Sequence, residues 1–406
     1  MTEPDTPIKL RLPSHVIDFT CTQCGECCTN KWTIDVDTES YNKLHKKFEE
    51  VGRHKEFDAH ILHDKGRKQV CFLANGKCPY LSDDNLCSIQ LSLGKEYLLD
   101  ICKIYPRSIF RSSLGLEFSL FLTCKAAVRT LQNYPIRILD ASWPIKTNEI
   151  IPFYFIEPNT FRHYDPDKPL LSDSQIPYHT LETKLIKLFQ DNRISIHDRL
   201  LTLGTILSKD INKEFDTMYS SNQPFAFPPN LTWHLSQVFL LANIFIRKYS
   251  SLHSAKLLRK LLMTLSSDKH DDVSESSVDF NCAKIQPPTS DSYQSMLTNN
   301  YKPALKVIEP ILENYMVNYI LSKHFYLRPL HFAYYRMAFS FAAITLLSIG
   351  YSLVQKQPID QPIVLQAIYD VESIFYDNWF YPYLAFMQAD QSPLETIENA
   401  IALANI

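Results

Sequence analysis

The stretch FTCTQCGECCTNKW, residues 19–32, carries four cysteines within eight residues and decides how the first part of the chain is built. Its cysteines are Cys21, Cys24, Cys27 and Cys28, spaced C-x2-C-x2-C with the fourth directly after the third. One turning loop with this spacing can aim several thiolates inward, and Gly25 removes a side chain where the backbone would crowd a metal. Side chains of adjacent residues diverge, so we expect Cys27 and Cys28 to serve different metals, or only one to be a ligand.

Further cysteines follow in the segments GKCPYLSDDNLCSIQ (76–90), LLDICKIYPR (98–107) and LFLTCKAA (120–127). They are Cys78, Cys87, Cys102 and Cys124. Of the ten cysteines, nine precede residue 125, including Cys71, and only Cys282 lies far downstream. The set suffices for one four-cysteine cluster with spare thiols or for two four-ligand sites. In a reducing compartment such a group indicates metal binding and not a disulfide framework.

The identity of the metal follows from the ligand types. Zinc sites of this kind usually have two C-x2-C pairs or histidine partners, whereas here the second pair is missing and the 13 histidines show no ligand spacing. The all-thiolate set and the proline after Cys78 favour an iron–sulfur cluster of the 4Fe-4S type, with zinc as the alternative. The predicted metal ligands are Cys21, Cys24, Cys27, Cys28, Cys78, Cys87, Cys102 and Cys124.

The composition argues against nucleic-acid-binding, secreted and membrane proteins. The chain has 406 residues, 45% of them hydrophobic, and a net charge of −3, so nucleic acid is not an expected partner. The opening residues lack the basic and apolar stretches of a secretory signal, which predicts a cytoplasmic location. Polar residues interrupt the apolar segment 337–354, so we expect a buried helix there and no membrane contact.

The expected fold is mainly α. Residues 1–135 are predicted to form a cysteine-rich metal domain with irregular turns, residues 136–177 an extended connecting layer, and residues 178–406 an α-helical domain with a mobile acidic loop near 266–281. In that domain HTLETKLIKLFQ, residues 179–190, shows helical spacing. Further helices are predicted over 195–208, 231–249, 254–266, 303–323, 331–355, 362–378 and 392–404. Only Gly204 and Gly350 follow residue 124, so no Rossmann fold is expected.

The motifs carry a resemblance to known proteins. CTQCGECC with the later CPYL and CKIYPR resembles the zinc/iron-chelating cysteine-cluster (CxxCxxCC) domain of many bacterial proteins. Over nearly the whole chain, CGECCTNKWTIDVD, residues 78–107, ILENYMVNYILSKHF and YYRMAF resemble the flagellin lysine-N-methylase family. The resemblance implies an iron–sulfur protein that methylates lysine side chains of a protein substrate, flagellin, with S-adenosylmethionine as the methyl donor.

Other residues are weaker candidates for function. Arg107 lies close after Cys102, and its planar fork could bind the carboxylate of the cofactor; the alternative is a surface arginine packed on Tyr105. One predicted helix carries Asn314, Tyr315 and Asn318, whose side chains could orient a substrate lysine. The alternative is that the two asparagine amides bridge helices. The competing function is a non-enzymatic zinc/iron-chelating protein whose helices bind a partner.

Overall fold

The computed structural model describes residues 8–29, 34–64, 66–112, 115–143, 178–208, 253–266, 286–323 and 329–375. Contacts divide them into two compact units. The first unit contains the described residues up to Ala127 together with residues 138–143. The second contains residues 128–137 and the described residues from 178 onward.

The first unit combines six strands with short helices. The strands are β1 Ile8–Pro13, β2 Ile61–Asp64, β3 Arg67–Val70, β4 Arg107–Ser112, β5 Gly115–Leu120 and β6 Ile138–Trp143. The helices are α1 Ser14–Asp18, α2 Thr38–Glu50, α3 His54–Ala59, α4 Ser88–Ser92 and α5 Asp100–Ile104. A sixth helix, α6 Lys125–Arg129, begins in this unit and ends in the second. The order β4-β5-β1-β6 forms one sheet, and β2 and β3 form a separate hairpin.

Strand β1 lies inside the four-stranded sheet. It pairs parallel with β5 and antiparallel with β6. Leu10 and Leu12 alternate with polar residues and are both buried, the pattern of a strand with one face on a core. On the other face, the Arg11 guanidinium donates a 2.7 Å hydrogen bond to the Glu117 carboxylate of β5, which fixes the register of the parallel pair.

A separate hydrophobic core supports the cysteine segments. Helix α2 starts at an N-cap, where the Asp37 carboxylate accepts a 2.8 Å hydrogen bond from the Ser40 amide. Its apolar face packs against α3, the hairpin and the loops that follow. The core consists of Ile34, Val36, Leu44, Phe48, Phe57, Ile61, Val70, Tyr80, Ile89, Leu93 and Leu99, with Cys78 and Cys87 packed at its edge.

The regular elements among the described residues of the second unit are all helical. Its helices are α7 Tyr178–Phe189, α8 Ile196–Ser208, α9 His253–Ser266, α10 Ser290–Met296, α11 Leu305–Lys323, α12 Leu330–Gln355 and α13 Gln361–Phe375. Helix α12 is long and apolar enough to cross a membrane by length and composition, but 89% of its most apolar window is buried in the protein. That burial agrees with the prediction of a core helix.

Arg199 joins three elements of this unit. Its guanidinium donates hydrogen bonds to the Phe189 carbonyl at 2.6 Å, the Ile194 carbonyl at 2.9 Å and the Glu313 carboxylate at 2.8 Å. The side chain is only 2% exposed. A buried charge of this kind is tolerated because each part of the planar fork has a partner.

The mainly helical prediction is confirmed. The predicted helices at 195–208, 254–266, 303–323 and 331–355 match α8, α9, α11 and α12 to within two residues at each end. The predicted helices at 231–249 and 392–404 lie outside the described residues, as does all but the first residue of the acidic loop 266–281. The first unit contains the expected turns and, in addition, a four-stranded sheet that was not predicted.

Candidate metal centre

A cavity of about 420 Å³ in the first unit is lined by all eight cysteines predicted as metal ligands. They are Cys21, Cys24, Cys27, Cys28, Cys78, Cys87, Cys102 and Cys124. Cys71 is exposed and is not part of the lining. Cys282 lies outside the described residues. Free cysteines are usually buried one by one in apolar cores, so their convergence on one cavity makes it the candidate site for the predicted metal.

The first cysteine loop is shaped by two left-handed residues. Gln23 has a φ of 54° and Gly25 a φ of 72°, and the chain then enters a short 3-10 helix, Glu26–Cys28. The Cys28 amide closes this turn on the Gly25 carbonyl at 2.9 Å. A Cβ atom on Gly25 would lie 2.9 Å from the Cβ atom of Asn85. Glycine is therefore needed because the loop packs on a neighbouring turn, whereas the sequence suggested crowding against the metal.

The second cysteine segment docks on the first through the backbone. The Cys78 amide donates a 2.7 Å hydrogen bond to the Cys28 carbonyl. A turn through Asn85, which has a φ of 60°, then brings Cys87 back to form a bridge with Leu81. Cys87 is the N-cap residue of α4. These local contacts place two thiols from this segment beside the first loop.

Cys102 and Cys124 enter the cavity from two other elements. Cys102 lies in α5, and Cys124 lies in the turn between β5 and α6. The hydroxyls of Tyr105 and Thr123 lie 3.0 Å apart and join these two segments. The Lys125 ammonium forms a 2.5 Å ion pair with the Glu26 carboxylate, which connects α6 to the first cysteine loop. Both residues of this ion pair line the cavity.

The Cys27 and Cys28 sulfur atoms lie only 3.9 Å apart. The expectation that these neighbouring side chains diverge was wrong, because the 3-10 turn rotates both thiols toward the cavity. A hydrogen bond from Cys28 lowers the Cys27 thiol pKa to about 7 and also lowers the Cys78 pKa. The Cys28 pKa is raised, because its proton is held by these two neighbours. Cys27 and Cys78 therefore lose their protons more readily than isolated thiols, whereas Cys28 holds its proton and donates it to them.

The remaining thiols fall into different electrostatic surroundings. Burial raises the Cys87 pKa, with smaller effects from charge on Cys78 and Cys27. Loss of contact with water raises the pKa of the Cys102 thiol, and charge on Cys78, Cys87 and Cys27 raises it further. The Cys102 side chain is nevertheless exposed toward the cavity that it lines. For Cys124, burial raises the pKa to about 11, and the charges that add to this effect come from Cys24 and Cys21.

The spacing of the sulfur atoms tests which metal group the cavity fits. Four thiolates about 2.3 Å from one zinc ion in tetrahedral geometry stand about 3.8 Å apart. Among the described residues, no three histidine, cysteine or acidic side chains are close enough to hold a single ion. A cluster of several iron and sulfide atoms needs a wider ring of thiolates around a larger space. An all-cysteine lining has the donor type of an iron–sulfur cluster and also of a structural zinc site.

The predicted cofactor anchor, Arg107, lies beside the cavity and not in its lining. Its guanidinium stacks 4.8 Å above the ring of Phe19, which does line the cavity, and its side chain also reaches the Phe19 carbonyl at 3.5 Å. Burial lowers the pKa of the guanidinium, while charge on Cys21 acts in the opposite direction. The arginine thus packs on Phe19, where the alternative prediction placed it on Tyr105.

The candidates of the second unit have structural contacts. The Asn314 side chain accepts a 3.0 Å hydrogen bond from the Ile136 amide and donates to the carbonyls of Leu131 at 2.9 Å and Tyr134 at 3.3 Å. The Tyr315 hydroxyl donates to the Glu372 carboxylate at 3.0 Å. Asn318 is buried on the same helix. Asn314 therefore holds the 131–136 turn, whereas the alternative prediction had the amides bridge helices.

Sequence reasoning missed the polar residues that shape the cavity. Glu26 and Lys125 each adjoin a predicted ligand, and their opposite charges were the available signal. Asn85 carried a weaker signal, since asparagine tolerates the left-handed backbone conformation that this turn requires.

Known proteins resemble this chain in a family model and in three curated relatives. Residues 183–382 match the family model described as the FliB lysine N-methylase C-terminal domain, so this match does not reach the cysteine cavity. A 129-residue alignment is 29% identical to the flagellar biosynthetic protein FliU of Salmonella muenchen and covers 30% of this chain and 76% of that protein. The lysine-N-methylases of Salmonella choleraesuis and Salmonella typhimurium show 29% identity over 129 residues, 30% of this chain and 32% of each of them. No solved structure matches.

Proposed function

We propose that this chain, which belongs to the flagellin lysine-N-methylase family, transfers methyl groups from S-adenosylmethionine to lysine side chains of flagellin in the bacterial cytoplasm. The observation that carries the methylase proposal is the match of residues 183–382 to the lysine N-methylase domain. The separate 129-residue alignment covers only 32% of each of the two named lysine-N-methylases, so the activity and the substrate stay proposals for this chain.

The reaction class sets what the protein has to provide. A lysine amine is protonated near neutral pH and must lose a proton before its lone pair can act as a nucleophile. The nitrogen then bonds to the methyl carbon of S-adenosylmethionine, the bond from that carbon to sulfur breaks, and S-adenosylhomocysteine leaves. The site therefore has to bind the cofactor and accept one proton.

The cysteine cavity is proposed to hold an iron–sulfur cluster. The eight lining cysteines supply its thiolates, and Cys27 and Cys78, whose pKa values are lowered by hydrogen bonds from Cys28, lose their protons to it most readily. Bound there, a cluster supplies an iron centre to which a cofactor or substrate atom can coordinate. Arg107 remains the proposed partner of the cofactor carboxylate, because it lies against a wall residue of the cavity, Phe19.

One experiment tests both parts. The full chain, purified without oxygen, is assayed for iron, acid-labile sulfide and zinc, and is then incubated with flagellin monomer and isotope-labelled S-adenosylmethionine. We expect near-equal iron and sulfide, and labelled methyl-lysine in flagellin by mass spectrometry. Flagellin with acetylated lysines is the matched substrate control, since the acetyl group removes the nucleophile.

Two results would reject separate parts of the proposal. Stoichiometric zinc without sulfide would reject the cluster. An iron-loaded protein that neither binds S-adenosylmethionine in calorimetric titration nor labels flagellin would reject the methylase and favour the non-enzymatic chelator.

A further inference from the structure

The wall of the cysteine cavity carries two opposite charges next to each other. Among the described residues that line the cavity, Glu26 is the one with a carboxylate and Lys125 the one with an ammonium group. The two groups form an ion pair with a nitrogen–oxygen distance of 2.5 Å. The cavity wall therefore contains a carboxylate that already binds the ammonium group of a lysine side chain.

This ion pair is accessible to solvent. The Lys125 side chain is 39% exposed and the Glu26 side chain 32%. Ion pairs at such exposure contribute little to stability, because water solvates each charge almost as well as the partner does. A second ammonium group that enters the cavity can therefore replace the Lys125 ammonium at the Glu26 carboxylate at a small cost in free energy.

The cavity also has apolar surface near this carboxylate. A Cβ atom on Gly25, the residue before Glu26, would lie 2.9 Å from the Cβ atom of Asn85, so the first cysteine loop packs on the turn at Asn85. Leu86 and Leu91 follow that turn and line the cavity, and Leu91 is 64% exposed. The methylene groups of a lysine side chain pack favourably on apolar surface while its ammonium group reaches a polar partner. A carboxylate with apolar surface nearby thus fits a lysine side chain from another protein.

We propose that Glu26 binds the ammonium group of the substrate lysine and that Lys125 occupies this position in the free protein. Lys125 then competes with the substrate, and Glu26 selects a lysine side chain before methyl transfer begins. This inference rests on the proposed function, because it names a residue that recognises the substrate group. The alternative is a purely structural ion pair that holds α6 to the first cysteine loop.

The test uses two single variants that break the same ion pair, Glu26→Gln and Lys125→Gln. Their controls are Asp100→Asn and Lys103→Gln, which make the same charge changes in a 2.9 Å ion pair of α5 whose residues do not line the cavity. Each full-length variant is purified without oxygen and checked for folding by circular dichroism and for metal content. Its Kd for flagellin monomer is then measured by calorimetric titration in the presence of S-adenosylhomocysteine, with lysine-acetylated flagellin as the control ligand.

We expect Glu26→Gln to weaken flagellin binding by about tenfold or more, because the hydrogen bond between the carboxylate and the substrate ammonium group is lost. Lys125→Gln should strengthen binding by roughly two- to fivefold, because no competing ammonium group remains at the carboxylate. The control variants should stay within about twofold of wild type, since their charges lie outside the cavity and are screened. Acetylated flagellin should bind equally to wild type and to Glu26→Gln.

A structural ion pair gives a different result. Weaker binding in both cavity variants, unchanged binding in both, or loss of folding in both would overturn the inference. Equal changes in the control variants would also overturn it, because the effect would then come from net charge. If any of these results accompanies flagellin methylation by wild type, the proposed function stands. A wild type that does not methylate flagellin rejects the proposed function itself.

Discussion

The backbone amide of Cys78 donates a 2.7 Å hydrogen bond to the carbonyl oxygen of Cys28, so two cysteine segments far apart in the chain are joined by main-chain atoms. Serine at either position retains both atoms of this bond. Metal loss in such variants therefore reports on the missing thiolate, because the contact between the segments does not depend on sulfur.

Gly25→Ala is expected to destabilise the cysteine loop more than Gly52→Ala. Both glycines have a φ of 72°, so both variants carry the strain of a left-handed alanine, about 1 kcal/mol. A Cβ on Gly25 also meets Asn85, whereas one on Gly52 meets nothing within 4 Å. We expect a total of about 2 kcal/mol or more for Gly25→Ala because of the added clash, together with weaker metal retention. Urea unfolding and iron analysis measure both effects; equal losses in the two variants would contradict this explanation.

Arg199→Met is expected to lower the free energy of unfolding by about 3–5 kcal/mol, because it leaves Glu313 and two backbone carbonyls without their buried partner. Arg193→Ala is the control, since Arg193 also pairs with a carboxylate but its side chain is 66% exposed. That variant should cost less than Arg199→Met, because the backbone amide of residue 193 still donates a hydrogen bond to the Asp191 carboxylate. Thermal unfolding compares the two, and similar midpoints would show that the Arg199 network contributes little.

Asn314→Ala should act on stability and not selectively on methyl transfer. It removes a 3.0 Å hydrogen bond from the Ile136 amide and leaves two carbonyls of the same turn without a donor. We expect a loss of about 2–3 kcal/mol for these buried groups. Asn299→Ala, which removes an exposed hydrogen bond to Ser295, is the control. A folded Asn314→Ala protein with normal stability and no transfer activity would restore Asn314 as a catalytic candidate.

His197 should make the second unit less stable in mild acid. Burial lowers its pKa from 6.5 to about 4, while Asp198 raises it and Lys302 lowers it. Between these values the unfolded chain binds more protons than the folded one, so stability falls as pH drops from about 6.5 toward 4. The loss is on the order of 2–3 kcal/mol.

His197→Phe removes this titration and keeps a ring against Phe341 and Tyr301. The difference in urea stability between pH 7 and pH 5 should therefore be smaller in the variant than in wild type. An identical pH dependence would show that other groups control the acid response.

Local spacing predicted the helices of the second unit because each buries one continuous apolar face. In α7, Leu181, Leu185 and Leu188 recur at helical spacing, and all three are buried. The cysteines that line the cavity were also predictable, since thiols at ligand spacing have few other uses in a reducing compartment.

The sheet and the contacts of the individual thiols were harder to predict from the sequence. Strand β1 has only six residues, and its parallel partner β5 comes more than a hundred positions later, so no local signal connects them. The alternation of Leu10 and Leu12 with Lys9 and Arg11 was the available signal for the strand itself. The contacts of each thiol depend on turns such as the one at Asn85. The spacing of the cysteines in the sequence does not specify the geometry of such turns.

The place of β1 between β5 and β6 has a consequence for synthesis on the ribosome. Residues 8–13 are synthesised before both of their partner strands, which end at Leu120 and Trp143. The sheet cannot form completely until Trp143 has left the ribosome. Until then, the nine cysteines before residue 125 belong to an incompletely folded unit. We therefore expect the proposed cluster to assemble after translation of this segment, and a nascent chain arrested before Trp143 to carry thiols that are open to oxidation.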